Sequence, residues 1–216
     1  MEYKEVEIHW LGHSGFRIEF GGKNYYFDPF QISSTLKKAD FVFISHSHYD
    51  HCSLEDLQKV CKNGTIFVMP ADCQSKVNRL DFQFEARIIS PENEINLDGI
   101  DVKAVKSYNL GKPFHTKEEE WNGYIADFNG IKIYHAGDSD FIPEMKNLGE
   151  IDIAFLPVSG NTTMNFSEAV KAAMVIKPKI AIPMHYNSIM GSKEDALKFK
   201  ELCEQEGIKV QILDKE

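Results

Sequence analysis

The first half of the chain alternates short apolar runs with turn signals, a pattern typical of β-strands. Gly21-Gly22 separates two such runs and predicts a tight hairpin. Ser53 is placed to cap a helix that runs to about Cys61, and a short helix is expected over 71–78. The predicted strands cover residues 6–11, 15–20, 25–27, 41–45, 65–69, 87–89, 95–97 and 102–105.

The second half changes from hairpins to alternating strands and helices. Asn129-Gly130 lies between two apolar runs and is a strong hairpin signal. Helices are predicted at 166–176 and at 193–205, the second capped by Ser192. The predicted strands cover residues 121–128, 131–135, 153–156, 179–183 and 209–213. With no linker in between, this order predicts one α/β domain over residues 1–216, with two packed sheets flanked by helices.

Residues 106–120 interrupt the pattern with a polar stretch that predicts a long loop. We expect this loop to form one wall of a pocket. Its Lys106, Lys112 and Lys117 point to an anionic group on the bound molecule, although lysines in a polar loop are usually solvated.

Composition narrows the classes of function. The 216 residues include 33 acidic and 24 basic side chains, a net charge of −9, which disfavours a protein that binds nucleic acid through its phosphates. A small-molecule substrate fits better. No apolar run approaches the roughly 20 residues of a membrane span, and the four cysteines form no metal or disulfide pattern. We therefore predict a soluble, cytoplasmic protein; neither its substrate's identity nor an oligomeric state follows from the pattern.

The candidate chemistry lies in the string His46-Ser47-His48-Tyr49-Asp50-His51, directly after the apolar run 41–45. Side chains two apart in an extended segment point the same way, so His46 and His48 can reach one ion. As the chain bends toward the helix at Ser53, Asp50 and His51 can turn to a second point. Two imidazoles, and a carboxylate with an imidazole, suit borderline divalent ions such as zinc or manganese.

This string matches the H-x-H-x-D-H signature of the metallo-β-lactamase superfamily, and the resemblance extends over nearly the whole chain. The opening motifs resemble the branch of metal-dependent hydrolases that includes the ascorbate-6-phosphate lactonases, and more distantly the N-acylphosphatidylethanolamine phospholipase D type. The further matching segments are Trp10-Leu11-Gly12-His13-Ser14-Gly15, Phe27-Asp28-Pro29, Tyr134-His135-Ala136-Gly137-Asp138-Ser139 and Pro183-Met184-His185-Tyr186. The resemblance implies a four-layer αββα sandwich with the metal site at one edge of the sheets.

The resemblance also implies a ligand set for two divalent ions, zinc first, with manganese or iron as alternatives. It places His46 and His48 on one ion. It places Asp50, His51 and His185 on the other, with Asp138 bridging both. The residues support Asp138 independently, since Gly137 allows a sharp turn at a strand end.

The third ligand of the first ion is the one departure from the superfamily pattern. Asn109 stands where many members have a histidine, and an amide oxygen is a weaker zinc ligand than an imidazole. Either Asn109 contributes little, or His115 fills the place, or the site prefers an oxygen-tolerant ion such as manganese. We favour His115 as the ligand and keep Asn109 as a supporting residue.

Other candidates have supporting or structural interpretations. His13 could face the site as a proton donor or substrate contact, or form a structural hydrogen bond in its loop. Asp28 is expected to orient a ligand imidazole, because ligating histidines usually donate their other N–H to a carboxylate. His135 lies at alternate positions with Ile131 and Ile133 in one predicted strand, so its side chain is predicted to face the interior with theirs. His9 and Cys52 are predicted to be structural.

We predict a metal-dependent hydrolase in which Asp50 orients a metal-activated water that attacks an ester, lactone or phosphoester. Three alternatives stay open at this point. A nuclease of the same superfamily would usually carry an inserted domain or a basic arm. A diiron redox protein would usually have a carboxylate in place of His48. A metal-binding protein with degenerate catalysis is suggested by Asn109.

Overall fold

Two separate mixed sheets organise the computed structural model, which describes residues 1–216. The chain divides into two units. The N-terminal unit comprises residues 1–90 together with 213–216, and the C-terminal unit comprises residues 91–212. Each unit contains one of the sheets and two of the four α-helices. The predicted single domain over residues 1–216 stays a prediction.

The N-terminal sheet has seven strands in sequence order. They are β1 (Glu2–Tyr3), β2 (Val6–Gly12), β3 (Gly15–Phe20), β4 (Lys23–Phe27), β5 (Phe41–Phe43), β6 (Thr65–Met69) and β7 (Phe84–Ile88). Pairing is antiparallel from β1 to β4 and parallel from β4 to β7. Phe20 pairs with Lys23, so the predicted Gly21-Gly22 turn is confirmed.

Helix α1 (Leu54–Val60) follows β5, and Ser53 caps it by accepting a hydrogen bond from the backbone N–H of Asp56. A 3₁₀ turn (Ala71–Cys73) leads into α2 (Gln74–Val77). Leu57 and Val60 of α1 lie in one apolar cluster with residues of β5 and β6. Burial of this face attaches α1 to the sheet and thereby holds the segment between β5 and the helix.

The C-terminal sheet has six strands in the order β13-β12-β11-β10-β9-β8. The strands are β8 (Glu94–Leu97), β9 (Ile100–Lys106), β10 (Asn122–Asp127), β11 (Lys132–His135), β12 (Ile153–Pro157) and β13 (Ile180–Met184). Pairing is antiparallel from β8 to β11 and parallel from β11 to β13. Asp127 pairs with Lys132 across Asn129-Gly130, and both turn residues have positive φ, as this tight hairpin requires.

Helices α3 (Phe166–Ile176) and α4 (Lys193–Gln205) have the predicted bounds. Each begins with a capping box, Asn165 with Glu168 in α3 and Ser192 with Asp195 in α4. Shorter 3₁₀ turns occupy Lys117–Glu119 and Pro143–Asn147. None of the helices has the length and apolar character needed to cross a membrane.

One predicted strand, 209–213, is wrong. Only Val210 makes a bridge, to Ala181 of β13. The pairing stops because the following residues join the N-terminal unit, where Lys215 bridges Trp10 in β2. The strand prediction therefore failed because one residue near the end of the chain pairs with β13 and another with β2.

Candidate metal-binding residues

The ligand run of the N-terminal unit lies between β5 and α1, as predicted. His46 comes three residues after the end of β5. The backbone N–H groups of His51 and Cys52 both donate to the carbonyl of His48, at 3.1 and 2.8 Å, and turn the chain toward the helix. The strand end and the helix cap thus fix both ends of a six-residue segment.

A buried carboxylate, Asp28, supports this segment from the position directly after β4. It accepts hydrogen bonds from the backbone N–H of Ser45 (2.7 Å), from the Ser45 hydroxyl (2.5 Å) and from His51 Nδ1 (2.7 Å). Because a carboxylate only accepts, the His51 proton lies on Nδ1 and its Nε2 carries the lone pair. Asp28 thus contacts the imidazole of His51, and its role in orienting a metal ligand stays a prediction.

Ser45 orients the imidazole of His46 in a similar way. Its hydroxyl proton goes to Asp28, so its oxygen accepts from His46 Nδ1 at 2.9 Å. His46 therefore also presents a lone pair at Nε2, the form in which an imidazole binds a metal. Sequence reasoning missed Ser45, although its place directly before His46 was a usable signal.

The spacing of donor atoms tests whether a metal ion fits. Two nitrogens bound to one tetrahedral zinc lie about 3.3 Å apart, and His46 Nε2 lies 3.2 Å from His48 Nδ1. Asp50 Oδ2 lies 3.7 Å from His51 Nε2. The structure thus brings His46 close to His48 and Asp50 close to His51, at separations near those of atoms that share an ion. Their roles as metal ligands stay predictions.

His13 also contacts Asp50. Its Nε2 lies 3.0 Å from Asp50 Oδ2, and its ring lies against Phe30, with centroids 5.5 Å apart. His13 is buried and occupies the turn between β2 and β3 with φ of +53°, where its carbonyl accepts from Trp10 Nε1. The structure therefore joins this candidate to the ligand run rather than leaving it as a loop histidine.

In the C-terminal unit, two histidines from separate segments converge on one carboxylate, that of Asp138. Asp138 follows β11 after Gly137, whose φ of +60° confirms the predicted turn. Asp138 Oδ2 lies 3.1 Å from His185 Nε2 and 3.5 Å from His115 Nε2. These separations again match those of atoms that share an ion.

His185 is oriented by a chain of hydroxyl groups. Its Nδ1 lies 2.9 Å from Ser159 Oγ, which lies 3.1 Å from Thr163 Oγ1. Thr163 donates to the carbonyl of Met164, so Ser159 can donate to Thr163 and accept from His185. Sequence reasoning missed Ser159; its signal was a polar residue beyond the end of β12, beside β13.

Asn109 supports His115. Its backbone N–H donates to the His115 carbonyl at 2.7 Å. Its side-chain nitrogen donates to the Thr162 carbonyl at 2.5 Å and lies 3.2 Å from His115 Nδ1. His115 lies against Asp138, and Asn109 lies against His115; the preference for His115 as ligand stays a prediction.

Four of the candidate or supporting residues have a left-handed backbone conformation. His13, Asp28, His115 and His185 all have φ between +38° and +58°, although none is glycine. Such conformations cost energy and are found at functional sites when the surrounding structure enforces them. Here each lies at a strand end or loop base that directs a polar side chain inward.

The lysines of the 106–120 segment are paired with acids. Lys106 and Lys117 lie 3.8 and 3.2 Å from Glu144, and Lys112 contacts Asp140. The Glu144 hydrogen bond raises the pKa of Lys117. Burial alone would raise the pKa of Glu144, but hydrogen bonds from Tyr108 and Lys117 hold it below its usual value. These contacts account for the three lysines without an anionic substrate.

The remaining predictions concern structural residues. His135 is buried, and its Nδ1 accepts from the backbone of Gly137, which confirms that it faces the interior. His9 lies among surface carboxylates. Cys52 is buried in the apolar cluster; its hydrogen bond with Cys73 lowers the pKa of the Cys52 thiol.

Comparisons with known proteins agree with this chemistry. Residues 7–185 match the family model of the β-lactamase superfamily domain. The chain is 35% identical to a UPF0173 metal-dependent hydrolase of Thermoplasma acidophilum, with 93% of this chain and 92% of the relative covered. The counterpart in Thermoplasma volcanium is 33% identical, with 92% of each chain covered.

Solved structures show the same fold. A crystal structure from Parabacteroides distasonis is 31% identical, has a TM-score of 0.85, and covers 97% of this chain and 94% of its own. A metallo hydrolase from Ignicoccus hospitalis is 25% identical, with a TM-score of 0.80 over 97% and 95% of the two chains. The predicted metallo-β-lactamase-like α/β fold class is confirmed.

Proposed function

The chain belongs to the β-lactamase superfamily and is a metal-dependent hydrolase, and on that premise we propose that it cleaves an ester, lactone or phosphoester of a small molecule. The observation that carries the proposal is the hydrogen-bond network of Asp28 and Ser45. It places the lone pairs of His46 and His51 on Nε2, the form needed for metal binding.

We assign the ligands of two divalent ions by the motif resemblance. His46, His48 and His115 would hold one ion, and Asp50, His51 and His185 the other, with Asp138 shared. The imidazole-rich first set favours zinc, whereas the carboxylate-bearing second set also accepts manganese or iron.

When bound, the ions supply a water that ionises near neutral pH and positive charge to neutralise the developing oxyanion. The chain's residues supply the orientation and the proton transfer. Asp50 orients the attacking water through its carboxylate. We propose that the proton lost by the attacking water passes through Asp50 to His13 Nε2, 3.0 Å from Asp50 Oδ2, and from the resulting imidazolium to the leaving-group oxygen.

We propose a small molecule as substrate and the cytoplasm as the location. The net charge of −9 and the acid-paired lysines supply no basic surface for a polynucleotide. A lactone stays among the candidates because the opening motifs resemble those of the lactonase branch.

Removal and restoration of metal tests the function. Protein dialysed against a chelator should lose hydrolysis of generic esters, lactones and phosphodiesters and regain it with zinc or manganese. His48→Ala should remain inactive after metal is added. His9→Ala is the matched control, since this histidine lies among surface carboxylates, and it should retain activity. Equal rates for metal-free and metal-loaded protein would exclude the mechanism.

A further inference from the structure

The segment between Asn109 and His115 is a loop closed at its base. The backbone N–H of Asn109 donates to the His115 carbonyl, so residues 110–114 project from two adjacent points. Leu110 is anchored by its backbone N–H, which donates to Asp140 at 2.8 Å. The first and last residues of the projection, Leu110 and Phe114, have 53% and 54% of their surface exposed. Each is the next residue in sequence to a buried polar residue of the candidate site, Asn109 or His115.

Half of the large exposed apolar side chains lie close in sequence to a candidate ligand or its support. Eight such residues occur in the chain. Four lie within four positions of a candidate ligand or its support: Tyr49, Leu110, Phe114 and Ile189. The other four lie on helices α3 and α4 or at the end of β7. Exposed apolar groups beside polar functional residues are typical of ligand-binding sites.

The N-terminal unit repeats this arrangement. Tyr49, between two candidate ligands, is 62% exposed. Its ring lies edge-on to Phe30, with centroids 5.9 Å apart, and Phe30 in turn lies against His13. An aromatic surface thus continues from a candidate catalytic residue to solvent within this unit.

The charges of the loop do not compete with an apolar ligand. Lys112, at the middle of the projection, contacts Asp140 and donates to the Thr163 carbonyl at 2.8 Å. Its charge is therefore neutralised at the base of the loop. The 110–114 loop therefore offers a bound molecule the apolar side chains of Leu110 and Phe114 rather than a positive charge.

We infer that Leu110 and Phe114 are specificity-determining residues that contact an aliphatic or aromatic acyl group of the substrate. This inference rests on the proposed function and names its substrate class. The scissile group lies at the metal ligands, and the acyl group extends from it along the 110–114 projection. Substrates with short, polar acyl groups lose this contact.

A homologous series of inhibitors measures the contact without requiring turnover. We choose n-alkyl hydroxamic acids from acetohydroxamic to octanohydroxamic acid, because the two hydroxamate oxygens ligate zinc while only the alkyl chain changes. Isothermal titration calorimetry of the zinc-loaded chain should show Kd falling about two- to fourfold per methylene, the effect of burying a CH₂ group.

Exposed-residue variants locate the contact. Leu110→Ser combined with Phe114→Ser should reduce the gain to about 1.5-fold or less per methylene. Leu197→Ser is the matched control, because Leu197 on α4 is 48% exposed. It should keep the wild-type dependence on chain length.

The outcomes separate this inference from the proposed function. A Kd independent of chain length, an unchanged gain in the double variant, or no binding by protein with measured stoichiometric zinc each overturns the acyl contact and leaves the metal assignment standing. Failure of the protein to retain zinc overturns the proposed function, and the inference falls with it.

Discussion

In the N-terminal unit the candidate ligands all lie within residues 46–51, whereas in the C-terminal unit His115, Asp138 and His185 come from three separate segments. The support differs as well. A buried carboxylate, Asp28, holds the first group, while a serine hydroxyl and an asparagine amide hold the second.

This difference bears on preorganisation. A hydrogen bond to a carboxylate is stronger than one between neutral groups, and it permits only one tautomer of the imidazole. A hydroxyl can donate or accept and turns with little cost. We therefore expect the N-terminal group to be set before metal binds and the C-terminal group to gain more order from the ion.

Metal binding gives the largest expected effect. Zinc at about 100 times its Kd stabilises the folded chain by about 2.7 kcal/mol, which corresponds to a rise in Tm of about 5–10 °C for a chain of this size. Hydrogen exchange should slow more at residues 109–115 and 185–191 than at 45–52. Differential scanning calorimetry and exchange mass spectrometry measure both. Equal slowing in the two groups would contradict the proposed difference in preorganisation.

Substitution of the buried carboxylate is the next largest effect. Asp28→Asn removes the charge beneath His51 and Ser45 and should weaken zinc binding about 10–100-fold, as measured by competition with a chromophoric chelator. Asp152→Asn is the control, since Asp152 is also buried and accepts from the Lys132 backbone and Lys179. It should lower stability and leave zinc affinity unchanged. Equal affinity losses in both variants would assign the effect to folding.

Local signals explain which parts of the fold the sequence predicts. The starts of α3 and α4 follow from capping boxes contained within four residues, and both hairpins follow from dipeptides at the turn. The strand at 209–213 failed because its pairing depends on β13 and on the departure of residues 213–216 to the other sheet. Propensity cannot report such a competition between distant partners.

The same distinction holds for the site. The run 46–51 and its contact with Asp28 were predicted because the motif is contiguous and a ligand imidazole requires an acceptor. Ser159 was missed because it reaches His185 only when β12 and β13 are paired side by side. Support from neighbouring strands is therefore the part of the site that a single sequence conceals.

Substitution of Asp56, in α1, tests whether this helix helps to hold the candidate ligands of the N-terminal unit in place. Burial raises its pKa, but hydrogen bonds from Ser53, Lys59 and the backbones of Ile32 and Gln31 outweigh it and hold the pKa below its ordinary value of 3.8. A depressed pKa in the folded state contributes stability above pH 3.8, and this is lost as pH falls through the folded-state pKa.

Asp56→Asn should therefore lower the free energy of unfolding by about 1–2 kcal/mol at pH 7, with the difference from wild type shrinking below pH 3.8. Urea unfolding across this pH range measures it. Asp195→Asn in the capping box of α4 is the matched control for loss of a cap. If only Asp56→Asn also weakens zinc binding, α1 shares in positioning the N-terminal ligands. If neither does, the order of these ligands does not depend on the contacts of Asp56.

Ser159→Ala gives the smallest expected effect and tests the comparison most directly. It removes the neutral partner of His185 Nδ1, so zinc affinity should fall by about fivefold, less than for Asp28→Asn, because a neutral hydrogen bond contributes about 1 kcal/mol. Ser192→Ala, which removes the cap of α4, is the control and should change stability only. A loss for Ser159→Ala as large as that for Asp28→Asn would mean that the hydroxyl chain orients His185 as firmly as the carboxylate orients His51. The two ligand groups would then be equally preorganised despite the difference in charge.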